Sequence, residues 1–217
     1  MDKDVSLRVG IAMHSSVSGY TLRSLLEIAR TVPKLGVDME AGSFTAPARC
    51  RIAGRAVEFE DDYLLFVDSD MSLPTDALEK LYLGIKDNPE MGAISGHYVK
   101  RDGSGVSIAN WMTKEKRWME QKQQDKKVFK YMKKKTIAPV DVFGAGCLLI
   151  DVKALKKVEF PPFNTAFIMN PDTKVAEFAT EDHYFLQRLQ QAGYKPCVHF
   201  GVLAGHQGEI LFWPKAE

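Results

Sequence analysis

The spacing of apolar positions changes several times along the chain, and each change marks an element. Leu7 to Met13 (LRVGIAM) is a short apolar run that predicts a buried strand. A polar loop, HSSVSG, follows. From Tyr20 to Val32, Leu22, Leu25, Leu26 and Ala29 fall at helical spacing until Pro33, which has no amide hydrogen to continue the ladder, stops the helix. VDMEAGSF then alternates like a strand. Ala46 to Glu60 returns to a helical period with Ile52, Ala53, Ala56 and Val57 inward, and Tyr63 to Val67 (YLLFV) is the next strand. Thr75 to Asp87 carries Leu78, Leu81, Tyr82 and Ile85 on one helical face, with Pro74 near its start and Asn88-Pro89 at its end.

With MGAISGHYV as a further strand, the first hundred residues read β-α-β-α-β-α-β, the order that builds a mostly parallel sheet covered by helices. The expected class is therefore an α/β/α sandwich of the Rossmann-like kind. Such sheets bind ligands beyond the carboxyl ends of their strands, so the loop after LLFV, with Asp68 and Asp70, is where a site belongs.

The second half is less regular. PVDVF and CLLIDV read as strands separated by Gly144-Ala145-Gly146, and a short helix is expected around Lys153 to Lys157. Residues 159–179 hold three prolines and little periodicity, which predicts a long loop, too apolar for simple disorder and suited to act as a lid. TEDHYFLQRLQQAG predicts a helix capped by Thr180, with Phe185, Leu189 and Ala192 on one face and Gly193 as its stop. KPCVHF is a last strand, followed by GHQG, a histidine among glycines, which suggests a binding loop.

Composition narrows the class. At 217 residues and 45% apolar content, a single domain spanning 1–217 is expected. No apolar stretch approaches the roughly 20 residues a membrane helix needs, and the start has no cleavable leader pattern, so a cytoplasmic protein is expected. Cys50, Cys147 and Cys197 are far apart and lack C-x-x-C spacing, which argues for reduced core residues rather than disulfides or a zinc knuckle. Charge is uneven: residues 114–135 hold ten basic and three acidic residues, net +7 against +1 for the whole chain, leaving −6 elsewhere. This basic insert, with Trp118, Met119, Phe129 and Tyr131 among its lysines, is either a solvated face or an amphipathic helix for an anionic partner or membrane surface. No nucleic-acid partner is expected.

Three features carry candidate chemistry. Asp68-Ser69-Asp70 could close a turn, hold a metal, or act as nucleophile and acid. Glu181 and Asp182 lie in a helical first turn, where free amides and the helix dipole favour negative charge. His206 is the third.

The succession LLFVDSDM, FGAGCLLID, TEDHYFLQRLQQAGYKP and GHQG resembles the GT-A nucleotide-sugar glycosyltransferases, particularly the small family-2-like and mannosylglycerate-synthase-like enzymes. The resemblance spans almost the whole chain. It implies a GT-A fold with a nucleotide-binding half (1–100) and an acceptor and metal half (136–217). It also implies a nucleoside diphosphate-sugar donor, an acceptor hydroxyl, and manganese or magnesium held by Asp70 and His206 with Asp68 at the ribose or a metal-bound water. Mixed oxygen and imidazole ligation suits manganese.

In the same comparison Asp182 is the carboxylate nearest the acceptor, Glu181 supports its loop, and Met13, His14, Ser15 and Ser69 lie by the nucleotide. Arg49 matches an arginine that contacts diphosphate or base, although Cys50 stands where the family often carries asparagine. Gly144, Ala145 and Gly146 would border the donor sugar, and Lys100 and Arg101 would help neutralise phosphate. A haloacid-dehalogenase-like phosphatase would want threonine or valine where Ser72 stands. A sugar nucleotidyltransferase would want a basic loop after the first strand, and a non-catalytic nucleotide-sugar or glycan module is the third alternative.

Overall fold

A computed structural model describes residues 1–42, 44–113, 118–169, 176–208 and 211–212. The first half runs β1 (Ser6–Met13), α1 (Gly19–Thr31), β2 (Lys34–Ala41), α2 (Thr45–Glu58), β3 (Tyr63–Val67), the two-residue β4 (Met71–Ser72), α3 (Ala77–Asp87) and β5 (Ala93–His97). The second half runs α4 (Gln121–Lys134), β6 (Ile137–Pro139), β7 (Cys147–Asp151), α5 (Val152–Leu155), β8 (Ala166–Met169), β9 (Ala176–Ala179), α6 (Glu181–Gln191), β10 (Cys197–Leu203), β11 (Gly205–Gln207) and β12 (Leu211–Phe212).

Seven strands form the central sheet in the order β2-β1-β3-β7-β5-β10-β6. β1 is parallel to β2 and β3, and β5 to β10. β7 enters antiparallel between β3 and β5, and β6 closes the edge antiparallel to β10. The sheet is thus mostly parallel and flanked by helices, a Rossmann-like α/β fold.

Both faces of the sheet are covered because side chains alternate along each strand. Leu64 and Phe66 of β3, with Leu148 and Ile150 of β7, enter the core under α2, α4, α5 and α6. Leu65, Val67 and Leu149 enter the opposite core, under α1 and α3. Phe66 is 1% exposed, and truncation to alanine would cost about 3–5 kcal/mol. Gly10 of β1 permits the close approach of α2, since a Cβ there would lie 2.5 Å from Ile52 Cγ2.

Several expectations shift. α1 turns Thr21, Ser24, Leu25 and Ile28 inward and leaves Leu22 and Leu26 exposed. The Thr21 hydroxyl donates to the Met71 carbonyl at 2.8 Å and the Leu73 amide donates to Ser24 Oγ at 2.9 Å, so hydroxyls serve the turn after β3 where leucines would leave it unbonded. The strand expected in PVDVF ends at Pro139 and begins at Ile137. The expected lid loop contains the antiparallel hairpin β8–β9. Thr180 occupies the cap position of α6 without a capping hydrogen bond; its hydroxyl donates to Asp182 instead. His206 lies on β11, not in a loop. The C-terminal tail, 213–217, lies outside the described residues.

All three cysteines are free, Cys147 and Cys197 buried and Cys50 half-buried with its thiol donating to the Phe163 carbonyl at 3.0 Å. Among the described residues no helix is long and apolar enough to cross a membrane.

Candidate functional site

β3 ends in a turn that gathers the acidic residues. The Met71 amide donates to the Asp68 carbonyl at 3.2 Å, and β4 then pairs antiparallel with β11, setting His206 opposite Met71. The Asp68 amide donates to the Gly146 carbonyl at 3.1 Å, and the Ser18 amide to the Ser69 carbonyl at 2.8 Å. Four segments remote in sequence are thereby joined at the carboxyl ends of β1 and β3. The location agrees with the rule for ligand sites in such sheets.

Asp70 and His206 converge. Nε2 of His206 is 3.5 Å from Asp70 Oδ2, while Nδ1 is 2.9 Å from the Val99 carbonyl. That carbonyl can only accept, so it holds the proton on Nδ1 and turns the Nε2 lone pair of the neutral ring toward Asp70. Burial favours the neutral forms of both groups, but the Asp70–His206 contact outweighs it: the carboxyl titrates below its ordinary value, helped by Arg101, and the imidazole above its own. Arg101, an exposed side chain, donates to Asp70 at 2.7 Å.

Asp68 does not join them. Its Oδ1 accepts from Arg49 Nη2 at 2.7 Å, and Nη1 of the same guanidinium donates to Glu181 Oε1 at 2.8 Å. Arg49 is 3% exposed. Burial opposes its charge, yet Asp68, Glu181 and Asp182 raise its proton affinity above the ordinary arginine value. Glu181 titrates above a normal glutamate despite this pairing, because burial and the neighbouring Asp182 and Asp68 outweigh the arginine. Arg49 thus ties the start of α6 to the turn after β3.

The glycines of Gly144-Ala145-Gly146 are required by crowding. A Cβ at Gly144 would fall 2.3 Å from Tyr98 Oη and 3.6 Å from Asp182 Oδ2; one at Gly146 would fall 2.9 Å from Tyr98 Oη and 3.1 Å from Asp68 Oδ2. The Gly146 amide donates to Tyr98 Oη at 2.8 Å. Burial, then the charge of Asp68, pushes the Tyr98 hydroxyl well above its usual range.

An open cleft of about 670 Å³ lies beside this turn, lined by His14, Ser15, Ser16, Ser18, Ser69, Asp70, Arg101, Asp102, Gln207 and Gly208. His14, Ser15, Ser69, Asp70 and Arg101 therefore share one cleft. Met13 and Lys100 are not part of the lining: Met13 packs at the edge of the α1–α3 core, and Lys100 is exposed. Tyr98 and Gln207 were not anticipated, although Tyr98 directly follows a strand's carboxyl end. Gln207 Oε1 is buried without a hydrogen-bond partner.

Among the described residues no group of three or more histidine, cysteine, aspartate or glutamate side chains is arranged to hold a metal ion. The expected set of Asp68, Asp70 and His206 separates because Arg49 holds Asp68. Asp70 and His206 still suit a divalent cation bound to a diphosphate, which takes one or two protein ligands and completes its shell with phosphate oxygens and water. The anchored tautomer of His206 and the unpartnered Gln207 oxygen fit that role.

No family model matches the chain, and no curated protein matches it. Among solved structures it is similar to one described as "Crystal Structure of A197 from STIV", with a TM-score of 0.66 and 14% identity over 98% of this chain and 92% of that one. That likeness is one of fold.

Proposed function

We propose that the protein is a metal-dependent glycosyltransferase that moves a sugar from a nucleoside diphosphate-sugar to an acceptor hydroxyl. The observation that carries this reading is the gathering of acidic groups around one turn: Asp70 with His206 at the cleft, Asp68 beside Gly146, and Asp182 beside Gly144. Asp70 and His206 would hold manganese or magnesium. When bound, the metal would supply Lewis acidity to the leaving diphosphate.

The chain's own residues do the rest. His14, Ser15, Ser16 and Ser69 offer hydroxyls and an imidazole to the nucleoside, and Arg101 can turn from Asp70 to a phosphate. Gly144 and Gly146 let Tyr98 pack against the backbone that would border the sugar, which no Cβ could allow. In a direct displacement, the acceptor oxygen bonds to the anomeric carbon as the bond from that carbon to the diphosphate oxygen breaks. The diphosphate leaves with the electron pair, and the hydroxyl proton passes to the Asp182 carboxylate. Thr180 and the His183 amide donate to that carboxylate, while Arg49 holds the adjacent Glu181.

The test is a thermal-shift panel of nucleoside diphosphates and nucleotide sugars with and without manganese. At a concentration near 100 times Kd, a ligand of the folded state adds about 2.7 kcal/mol, or about 5–10 °C for a chain of this size. One base should stabilise the protein only with the metal. Absence of any shift, or shifts indifferent to chelator, would overturn the reading.

A further inference from the structure

We propose that the outer face of α4 docks on an anionic phospholipid bilayer. Within Gln121–Lys134 there are six lysines and one acidic residue, Asp125, which accepts a hydrogen bond from Gln121 at 2.7 Å. Lys122, Lys126, Phe129, Lys130 and Lys133 recur at steps of three and four and form one stripe, while Gln124, Val128 and Met132 face the core. Two surface lysines elsewhere pair with carboxylates, Lys80 with Asp76 and Lys86 with Asp2. Among the described residues no carboxylate pairs with the four lysines of the stripe.

Phe129 is the second observation. It lies 47% exposed in the middle of these charges. In water an aromatic ring there gains nothing, whereas at a headgroup boundary it inserts while flanking lysines extend to the phosphates. The helix contains no arginine, so it lacks the forked donors that read a phosphate bidentately and has instead the mobile point charges that suit a diffuse anionic surface.

The stripe is held as a platform. Gln124 accepts from the Trp111 amide at 3.0 Å and donates to the Met119 carbonyl at 3.0 Å, and Tyr131 stacks on Phe200 and Trp111. The charge of −6 outside residues 114–135 leaves this face as the attractive one, so docking is oriented. Each lysine near an anionic leaflet strengthens binding about five-fold.

Flotation of the full chain with vesicles tests this. The wild type should float with phosphatidylcholine vesicles containing phosphatidylserine, stay behind with phosphatidylcholine alone, and be released by salt. The quadruple variant Lys122→Gln/Lys126→Gln/Lys130→Gln/Lys133→Gln should bind at least about 100-fold more weakly, with unchanged circular dichroism. Phe129→Ala should weaken binding several-fold at unchanged charge, which keeps the proposal open to failure even if the quadruple variant loses its helix. Equal flotation with both vesicle types, no flotation, or full binding by Phe129→Ala would overturn it. So would complete displacement of the protein by duplex oligonucleotide at matched phosphate, which would make the partner a nucleic acid.

Discussion

Two buried arginines, Arg8 and Arg49, each hold two carboxylates. Arg8 lies 2.7 Å from Asp38 and 2.6 Å from Asp61; Arg49 lies 2.7 Å from Asp68 and 2.8 Å from Glu181. Around Arg8 the charges balance. Arg55 bonds Asp38 and Glu40, Arg51 bonds Glu40, and Phe59 lies against the Arg8 guanidinium, so three cations meet three carboxylates. Around Arg49 they do not: Asp68, Glu181 and Asp182 act on one guanidinium whose Nε has no partner. A balanced cluster fastens β1 and β2 to α2. An unbalanced one leaves negative charge beside a cleft, where a cation or a proton can be received.

The contrast can be broken most sharply at Asp182. Replacing it with asparagine keeps the shape, so turnover should fall by about 10²–10⁴-fold while donor affinity and melting temperature hold. Steady-state rates and calorimetry together check this. The opposite pattern belongs to Arg8→Met: a loss of about 3 kcal/mol by chemical denaturation, because Asp38 and Asp61 lose their shared cation, with turnover of the folded fraction unchanged.

His97 gives a third case, burial with no counter-charge. It is fully buried with neither ring nitrogen partnered, and burial depresses its pKa from 6.5 to about 4. Above pH 6.5 the ring is neutral in both states and its contribution is intact. As pH falls from about 6.5 to about 4 the unfolded chain takes a proton that the folded chain refuses. Stability should drop there by up to about 1.4 kcal/mol per pH unit. Denaturation midpoints against pH measure it, and His97→Phe should flatten the slope. The smallest effect is expected for Arg101→Gln, an exposed ion pair: under about 1 kcal/mol in stability, with manganese binding tighter by a few-fold because Asp70 loses a competitor.

The first hundred residues could be read because each helix buries one face and β1, β3 and β5 meet cover on both. That makes the period of the sequence and the period of the structure the same. α1 departs from this where hydroxyls of Thr21 and Ser24, not leucines, face the turn after β3. The insertion of β7 between β3 and β5 was beyond a linear reading, since chain order says nothing of which strands become neighbours. The same holds for the site. Asp68, Asp70, Asp182, His206 and Arg49 could each be picked out by type and position, but the ion pair between Arg49 and Glu181 spans 132 residues. The same arginine holds Asp68, and that second bond is what separates the two aspartates of Asp-x-Asp. Gln207 carries no local signature, and only the pairing of β11 with β4 brings it to the cleft; Tyr98, just past β5, packs instead against Gly144 and Gly146.

The central claim is that Asp70 and His206, on the turn beside the unbalanced cluster, receive a metal together with a nucleoside diphosphate. Manganese titration followed by the electron paramagnetic resonance signal of the free ion tests it most directly. The wild type with the nucleoside diphosphate found by thermal shift should remove that signal, Asp70→Ala should leave it, and Asp38→Asn in the balanced cluster should behave as wild type. Equal manganese binding by Asp70→Ala and wild type would contradict the account.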